Sequence, residues 1–106
     1  MRRRDVVIVS LPGDKPRPAV VMQSDELAAS HTVLVCPFTS GLEFASPHRV
    51  VVEPAPENGL KSASVLMTEK LQAVRRTRCG DVIGRLGDAD MNAVGTKLNF
   101  VLGLGY

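Results

Sequence analysis

The chain has little with which to stack on a flat partner. Tryptophan is absent, and Phe38, Phe44, Phe100 and Tyr106 are the whole aromatic set. A base-stacking platform of the usual kind, built from successive aromatic side chains, is therefore not evident. Cysteine is as scarce: Cys36 and Cys79 lie far apart with no Cys-x-x-Cys spacing, which argues for free thiols in a reducing compartment. His31 and His48 are isolated, with no His-x-x-x-His pair, so no metal site is expected. No nucleotide cofactor is expected either, because GRLGDAD lacks the Gly-x-Gly-x-x-Gly pattern and a following Lys-Ser/Thr. A Gly-x-Ser-x-Gly elbow is missing, which leaves a serine hydrolase without support.

Long apolar runs are missing too, and none approaches the roughly 20 residues of a membrane span. The opening MRRRDVVIVSLPGD imitates the basic start of a secretory leader, but Pro12 and Gly13 cut its apolar stretch short. A cytoplasmic protein with no membrane association is expected. Charge of one sign is not in excess: 13 Lys and Arg against 11 Asp and Glu leave a formal +2. Affinity for a polyanion has to come from a local patch, such as Arg2–Arg4 or Arg75, Arg76 and Arg78, each of which also reads as a solvated edge.

What the sequence does contain is a series of short β-rich segments bounded by Pro, Gly or polar clusters. They are VVIV from Val6, AVVM from Ala19, TVLVCPF from Thr32, RVVVE from Arg49, SVLMT from Ser64 and DVIGRL from Asp81, with Lys70 to Val74 as a further candidate. Such spacing predicts a small barrel or sandwich. The period then changes. Met91, Val94, Leu98, Val101 and Leu102 recur at helical spacing, with Asp88 or Asp90 as the expected N-cap and Gly103 as the stop. Gly95 costs this helix about 1 kcal/mol relative to Ala, so it must lean on the sheet. Phe100 is expected in the core. At 106 residues, one domain spanning 1–106 is expected, mainly β with a C-terminal helix.

Two features carry chemistry. In KPRP, Pro16 and Pro18 fix φ on either side of Arg17 and stiffen the backbone that holds its guanidinium. A solvated turn entering a strand is one reading; a cation presented to an anion with little freedom left to lose is the other. At the end of VLVCPFTSGLE, Thr39 and Ser40 place two hydroxyls at a strand-to-loop corner. These either cap a turn or, beside a rigid arginine, hold a phosphate without a metal.

In order along the chain, RRRDVVIVSLPGD, KPRPAVVMQSD, TVLVCPFTS, HRVVVEP, NGLKSASVLMTEKLQAV and VIGRLGDADMNAVGTKLNFVLGL resemble the MazF/PemK toxins of bacterial toxin–antitoxin pairs over essentially the whole length. The resemblance implies an SH3-like barrel of the CcdB/MazF type, a homodimer, and a metal-independent endoribonuclease that cuts single-stranded RNA at short sequences. It also implies a cognate antitoxin that blocks the site. Arg17 matches the family's Arg-Pro motif and Thr39 the threonine that ends a core strand, which makes these two the expected catalytic residues. Lys15, Ser40, Phe44, His48, Glu69 and Arg78 are the expected RNA-binding residues, with Phe44 a candidate for stacking on a base. Glu69 and His48 are also candidates for the general base, a role to which arginine is poorly suited.

Three departures stand out against that family. Arg4 occupies a position where members usually carry glycine. Met67 and Glu69 fall where some members carry an arginine and an aspartate that take part in cleavage, and Lys70 replaces a common glutamine. Two alternatives follow from the same fold: a gyrase poison like CcdB, faintly echoed by the closing LGY, and a barrel that binds RNA without cutting it. KPRP followed by a strand ending in FTS favours the nuclease.

Overall fold

Valine-rich runs too short for helices and closed by turn residues leave the chain one economical arrangement, a coiled antiparallel sheet. The computed structural model describes residues 1–105. Its strands are β1 (Asp5–Val9), β2 (Arg17–Val21), β3 (Thr32–Ser40), β4 (Val50–Val52), β5 (Ser64–Leu66), β6 (Gln72–Arg75) and β7 (Cys79–Arg85), followed by helix α1 (Asp88–Val101). The candidate segment from Lys70 to Val74 splits into a 3-10 turn over Thr68–Lys70 and strand β6.

The nine-residue β3 is the spine. One edge pairs with β2 through Ala19↔Pro37 and Val21↔Val35. The other pairs with β6 near its start, Thr32↔Arg75 to Val35↔Gln72, and with β5 near its end, Phe38↔Leu66 to Ser40↔Ser64. The remaining order, β4 beside β5 and β7 beside β1 beside β2, completes a sheet that coils upon itself.

Because successive strand residues point to opposite faces, the runs bury both sides. Val6, Val20, Cys36, Phe38 and Leu66 fill one core, which α1 covers with Met91 and Val94. Val7, Val9, Ala19, Val21, Val33, Val35 and Val74 fill the other. Burial of Cys36, whose thiol donates to the Met67 carbonyl at 3.2 Å, pushes its pKa up to about 12.

Two expectations about α1 are corrected. Its N-cap is Gly87, which offers no side-chain cap, while Asp88 opens the first turn and pairs with Arg4. The carboxylate is thus used across the chain rather than on its own helix end, and Arg4 holds its pKa below the ordinary aspartate value. Phe100 is not core: it is 68 % exposed and stacks on the His48 ring, with centroids 4.9 Å apart. Two residues beyond Leu98, or about 200° around the helix, it points away from the face that Val94 and Leu98 turn to the core. Gly103 ends the helix as expected, at φ +67, which favours glycine. Tyr106, and with it the end of the LGY echo, lies outside the described residues. Among the described residues no helix is long and apolar enough to cross a membrane.

Candidate functional site

The register of β2 on β3 explains why Arg17 and Thr39 meet. With Ala19 opposite Pro37, stepping two residues outward along each antiparallel strand brings Arg17 and Thr39 face to face on the same side of the sheet. The Arg17 Nη1 lies 3.4 Å from Thr39 Oγ1, and its Nε donates to Asp14 Oδ2 at 3.2 Å. Asp14 is fixed in turn by the Lys15 backbone N–H, which donates to Oδ1 at 2.8 Å. The Arg17 guanidinium holds the Asp14 carboxyl below its ordinary value of 3.8, so Asp14 is an anion at neutral pH. A cation is thereby suspended between a carboxylate and a hydroxyl, on a backbone stiffened by Pro16 and Pro18.

Two hollows meet at this point. The first, about 390 Å³, lies over the face that carries Ala19, Val35 and Pro37, and its rim includes Asp14, Phe44, Arg49 and Lys70. The second, about 540 Å³, lies on the opposite face, beside Pro18, Phe38 and Ser40. Lys15, Arg17 and Thr39 line both.

Across the first hollow stands Arg49, just before β4. Its Nε lies 3.0 Å from both Glu69 carboxylate oxygens, Nη2 also bonds Glu69 Oε2, and Nη1 donates to the Phe44 carbonyl at 3.0 Å. The guanidinium lowers the Glu69 pKa, and the carboxylate raises that of Arg49. The pair ties the loop that bears Phe44 to the 3-10 turn that bears Glu69 and Lys70.

Of the residues expected from the sequence, Arg17, Thr39, Lys15 and Ser40 are together, and Phe44 joins them across the first hollow with 48 % of its surface exposed. Glu69 reaches the hollow through Arg49. His48 and Arg78 line neither hollow: His48 is stacked on Phe100, and Arg78 lies in the 3-10 turn before β7, where its carbonyl accepts the Ser10 N–H. Asp14 and Arg49 escaped the sequence reading. Asp14 had a signal, its i,i+3 spacing to Arg17; Arg49 had none, since its partner is twenty residues away. Met67 lines the first hollow, and Arg49, from the loop just before β4, brings a guanidinium to the same space. Among the described residues no group of three or more His, Cys, Asp and Glu side chains is arranged to share a metal ion.

Comparison with known proteins identifies the family and the fold. A probable endoribonuclease MazF of Mycolicibacterium smegmatis is 36 % identical over 107 residues, covering 98 % of each chain. The fold superposes on a mycobacterial endoribonuclease solved in complex with its cognate antitoxin, with a TM-score of 0.86 and 20 % identity, covering 100 % of this chain and 98 % of that one. It also superposes on the Mycobacterium tuberculosis toxin MazF-mt6, at 0.82 and 24 % identity, covering 97 % and 100 %. Both likenesses identify the barrel-like sheet with its closing helix as the fold of these toxins. Residues 2–102 match the PemK-like, MazF-like toxins of type II toxin–antitoxin systems, and the chain belongs to that family.

Proposed function

We propose that this toxin is a metal-independent endoribonuclease acting on single-stranded RNA, with its reacting phosphate at Arg17 and Thr39. The observation that carries the reading is the Arg17 guanidinium held between Asp14 and Thr39, where two hollows open to either side. RNA carries its own nucleophile. The protein has to remove the 2′-hydroxyl proton, stabilise the charge that builds on phosphorus, and return a proton to the leaving oxygen.

Asp14 is ionised and lines the cleft beside Arg17, which suits it to accept the 2′-hydroxyl proton. As the 2′-oxygen–phosphorus bond forms, Arg17 donates to the equatorial oxygens, with Lys15 adding a second positive charge. The phosphorus–5′-oxygen bond then breaks, and the Thr39 hydroxyl relays a water proton to the departing oxygen. The products are a 2′,3′-cyclic phosphate and a 5′-hydroxyl. Ser40 and Phe44 contact the nucleotides on either side. Arg17 serves as a donor and charge partner and not as a base, because guanidinium is almost never deprotonated.

The remaining parts of the reading follow the relatives. The chain acts in the cytoplasm as a single toxin domain, forms a homodimer, and is silenced by a cognate antitoxin, as the mycobacterial endoribonuclease is bound by its own. The test is incubation of wild type and Arg17→Ala with a long single-stranded RNA in excess chelator, followed by mapping of both ends at every cut. Cuts at a short recurrent sequence that leave a 2′,3′-cyclic phosphate and vanish in the variant are expected. Intact RNA after incubation with folded wild type would remove the nuclease reading.

A further inference from the structure

The hollow on the second face of the β2–β3 edge shares Lys15, Arg17 and Thr39 with the site just described, and the rest of it is a built space that the bond-making does not use. Its volume of about 540 Å³ falls within the roughly 300–1,000 Å³ of small-molecule sites. Ile8, Leu60 and Ile83 give it an apolar floor, and Ser40, Ser62 and Ser64 bring hydroxyls to its wall. Three cations, Lys15, Arg17 and Lys61, line it with no carboxylate among the lining residues. The first hollow is also lined by cations, but Asp14 stands among them and pairs with Arg17, and Arg49 is paired with Glu69. Among the described residues Lys61 makes no ion pair.

The loop that presents Lys61 is held firmly. Asn58 is buried; its Oδ1 accepts the Ala55 and Leu60 N–H groups at 3.1 and 3.0 Å, and its Nδ2 donates to the Glu53 carbonyl at 2.9 Å. Gly59 adopts φ +70 and packs so closely on β7 that a Cβ would stand 2.1 Å from the Ile83 carbonyl oxygen. A rigid loop thus carries an unpaired ammonium to the rim of an apolar, hydroxyl-lined space that is continuous with Arg17 and Thr39.

From this juxtaposition we infer that the second hollow is a nucleotide subsite, holding the RNA nucleotide on the far side of the phosphate at Arg17, with Lys61 contacting the phosphate beyond it. The inference rests on the endoribonuclease reading for the position of the reacting phosphate. The strand then crosses the β2–β3 edge, one flanking nucleotide in each hollow, and Lys61 adds affinity by charge, which salt screens.

The test separates binding from cleavage. A fluorescent RNA oligonucleotide with 2′-O-methyl groups at every position has no nucleophile, so anisotropy reads its binding to wild type, Lys61→Ala and Lys61→Glu across a range of salt. A thermal melt of each variant checks that it is folded. Lys61→Ala is expected to weaken binding severalfold and to lower the slope of log affinity against log salt by about 0.7, the value for one phosphate contact on a single strand. Lys61→Glu is expected to bind more weakly still. Equal affinity and equal slope for wild type and both variants would overturn the subsite. So would unchanged RNA binding together with a loss of binding to an oligoglutamate peptide, which would assign the hollow to a protein partner. Lys61-dependent binding by a wild type that cuts no unmodified RNA would sustain the subsite and remove only the nuclease.

Discussion

Arg49 and Glu69 meet side-on across twenty residues of sequence, with the guanidinium Nε 3.0 Å from each carboxylate oxygen. Because this contact lowers the Glu69 pKa in the folded chain, its stabilisation is fully present above the pKa of unfolded glutamate, about 4.3. It is lost as pH falls through the lower folded value. Glu69→Gln is expected to cost about 1 kcal/mol or less at pH 7, since the pair is partly exposed to solvent. Denaturant midpoints of wild type and variant, measured from pH 7 to 3, should converge at the acid end; a gap that widens there would contradict the assignment.

Arg17→Lys keeps the charge and loses the planar fork that bonds Asp14 and Thr39 together. The expected result is a fall in kcat of roughly 100-fold or more, the size of one lost transition-state donor. Stability should move by no more than about 0.5 kcal/mol, as for an ordinary surface change. Single-turnover cleavage and a thermal melt of the same preparation distinguish lost chemistry from lost fold.

Asp14→Asn removes the proposed base without changing its shape. Cleavage is expected to slow by about 100- to 10,000-fold. In wild type the acid limb of kcat/KM should fall below the ordinary aspartate value of 3.8, because Arg17 holds the carboxyl down and the base is active only when ionised. A rate profile with its acid limb near neutrality would point to a different base.

Asn58→Ala leaves the Ala55 and Leu60 N–H groups and the Glu53 carbonyl without their partner. A loss of about 2–3 kcal/mol in unfolding free energy is expected, for buried polar groups left unsatisfied. Urea titration reads it directly, and a change under about 0.5 kcal/mol would mean that the loop is not held by this residue.

The two thiols should behave unequally. Cys36 is fully buried with its pKa pushed up to about 12, whereas Cys79 is half-buried and raised to a lesser degree, again by burial. With iodoacetamide on native protein, Cys79 is expected to be alkylated slowly and Cys36 only after denaturation. Mass mapping of modified peptides checks the order.

The strands could be read because each is a short β-branched run closed by turn residues, and KPRP and FTS were visible as motifs. Their meeting was not visible, because it depends on Ala19 pairing with Pro37, a register that one sequence does not display. Arg49 was hidden for the same reason: a guanidinium at a strand entrance acquires meaning only when the turn bearing Glu69 folds against it. At α1 the sequence misled. Two aspartates looked like caps, but Arg4 draws Asp88 away from the helix end and leaves Gly87 at the cap. Phe100 looked like core for its apolar character, yet two residues beyond Leu98 is about 200° around the helix, off the face that Met91, Val94 and Leu98 turn to the core, and its ring stacks on a histidine instead.

The spine β3 also bears on when a newly made chain becomes dangerous. Thr39 is synthesised early, but the outer edge of its strand is completed only by residues 64–75, and β1, which supports β2, gains its second neighbour only with residues 79–85. A nascent chain still threaded through the ribosome therefore carries Arg17 and Thr39 without the scaffold that aligns them. Chains truncated after Lys70 are expected to show neither a cooperative melt nor RNA cleavage, so that the activity arises only once β6 and β7 have been made.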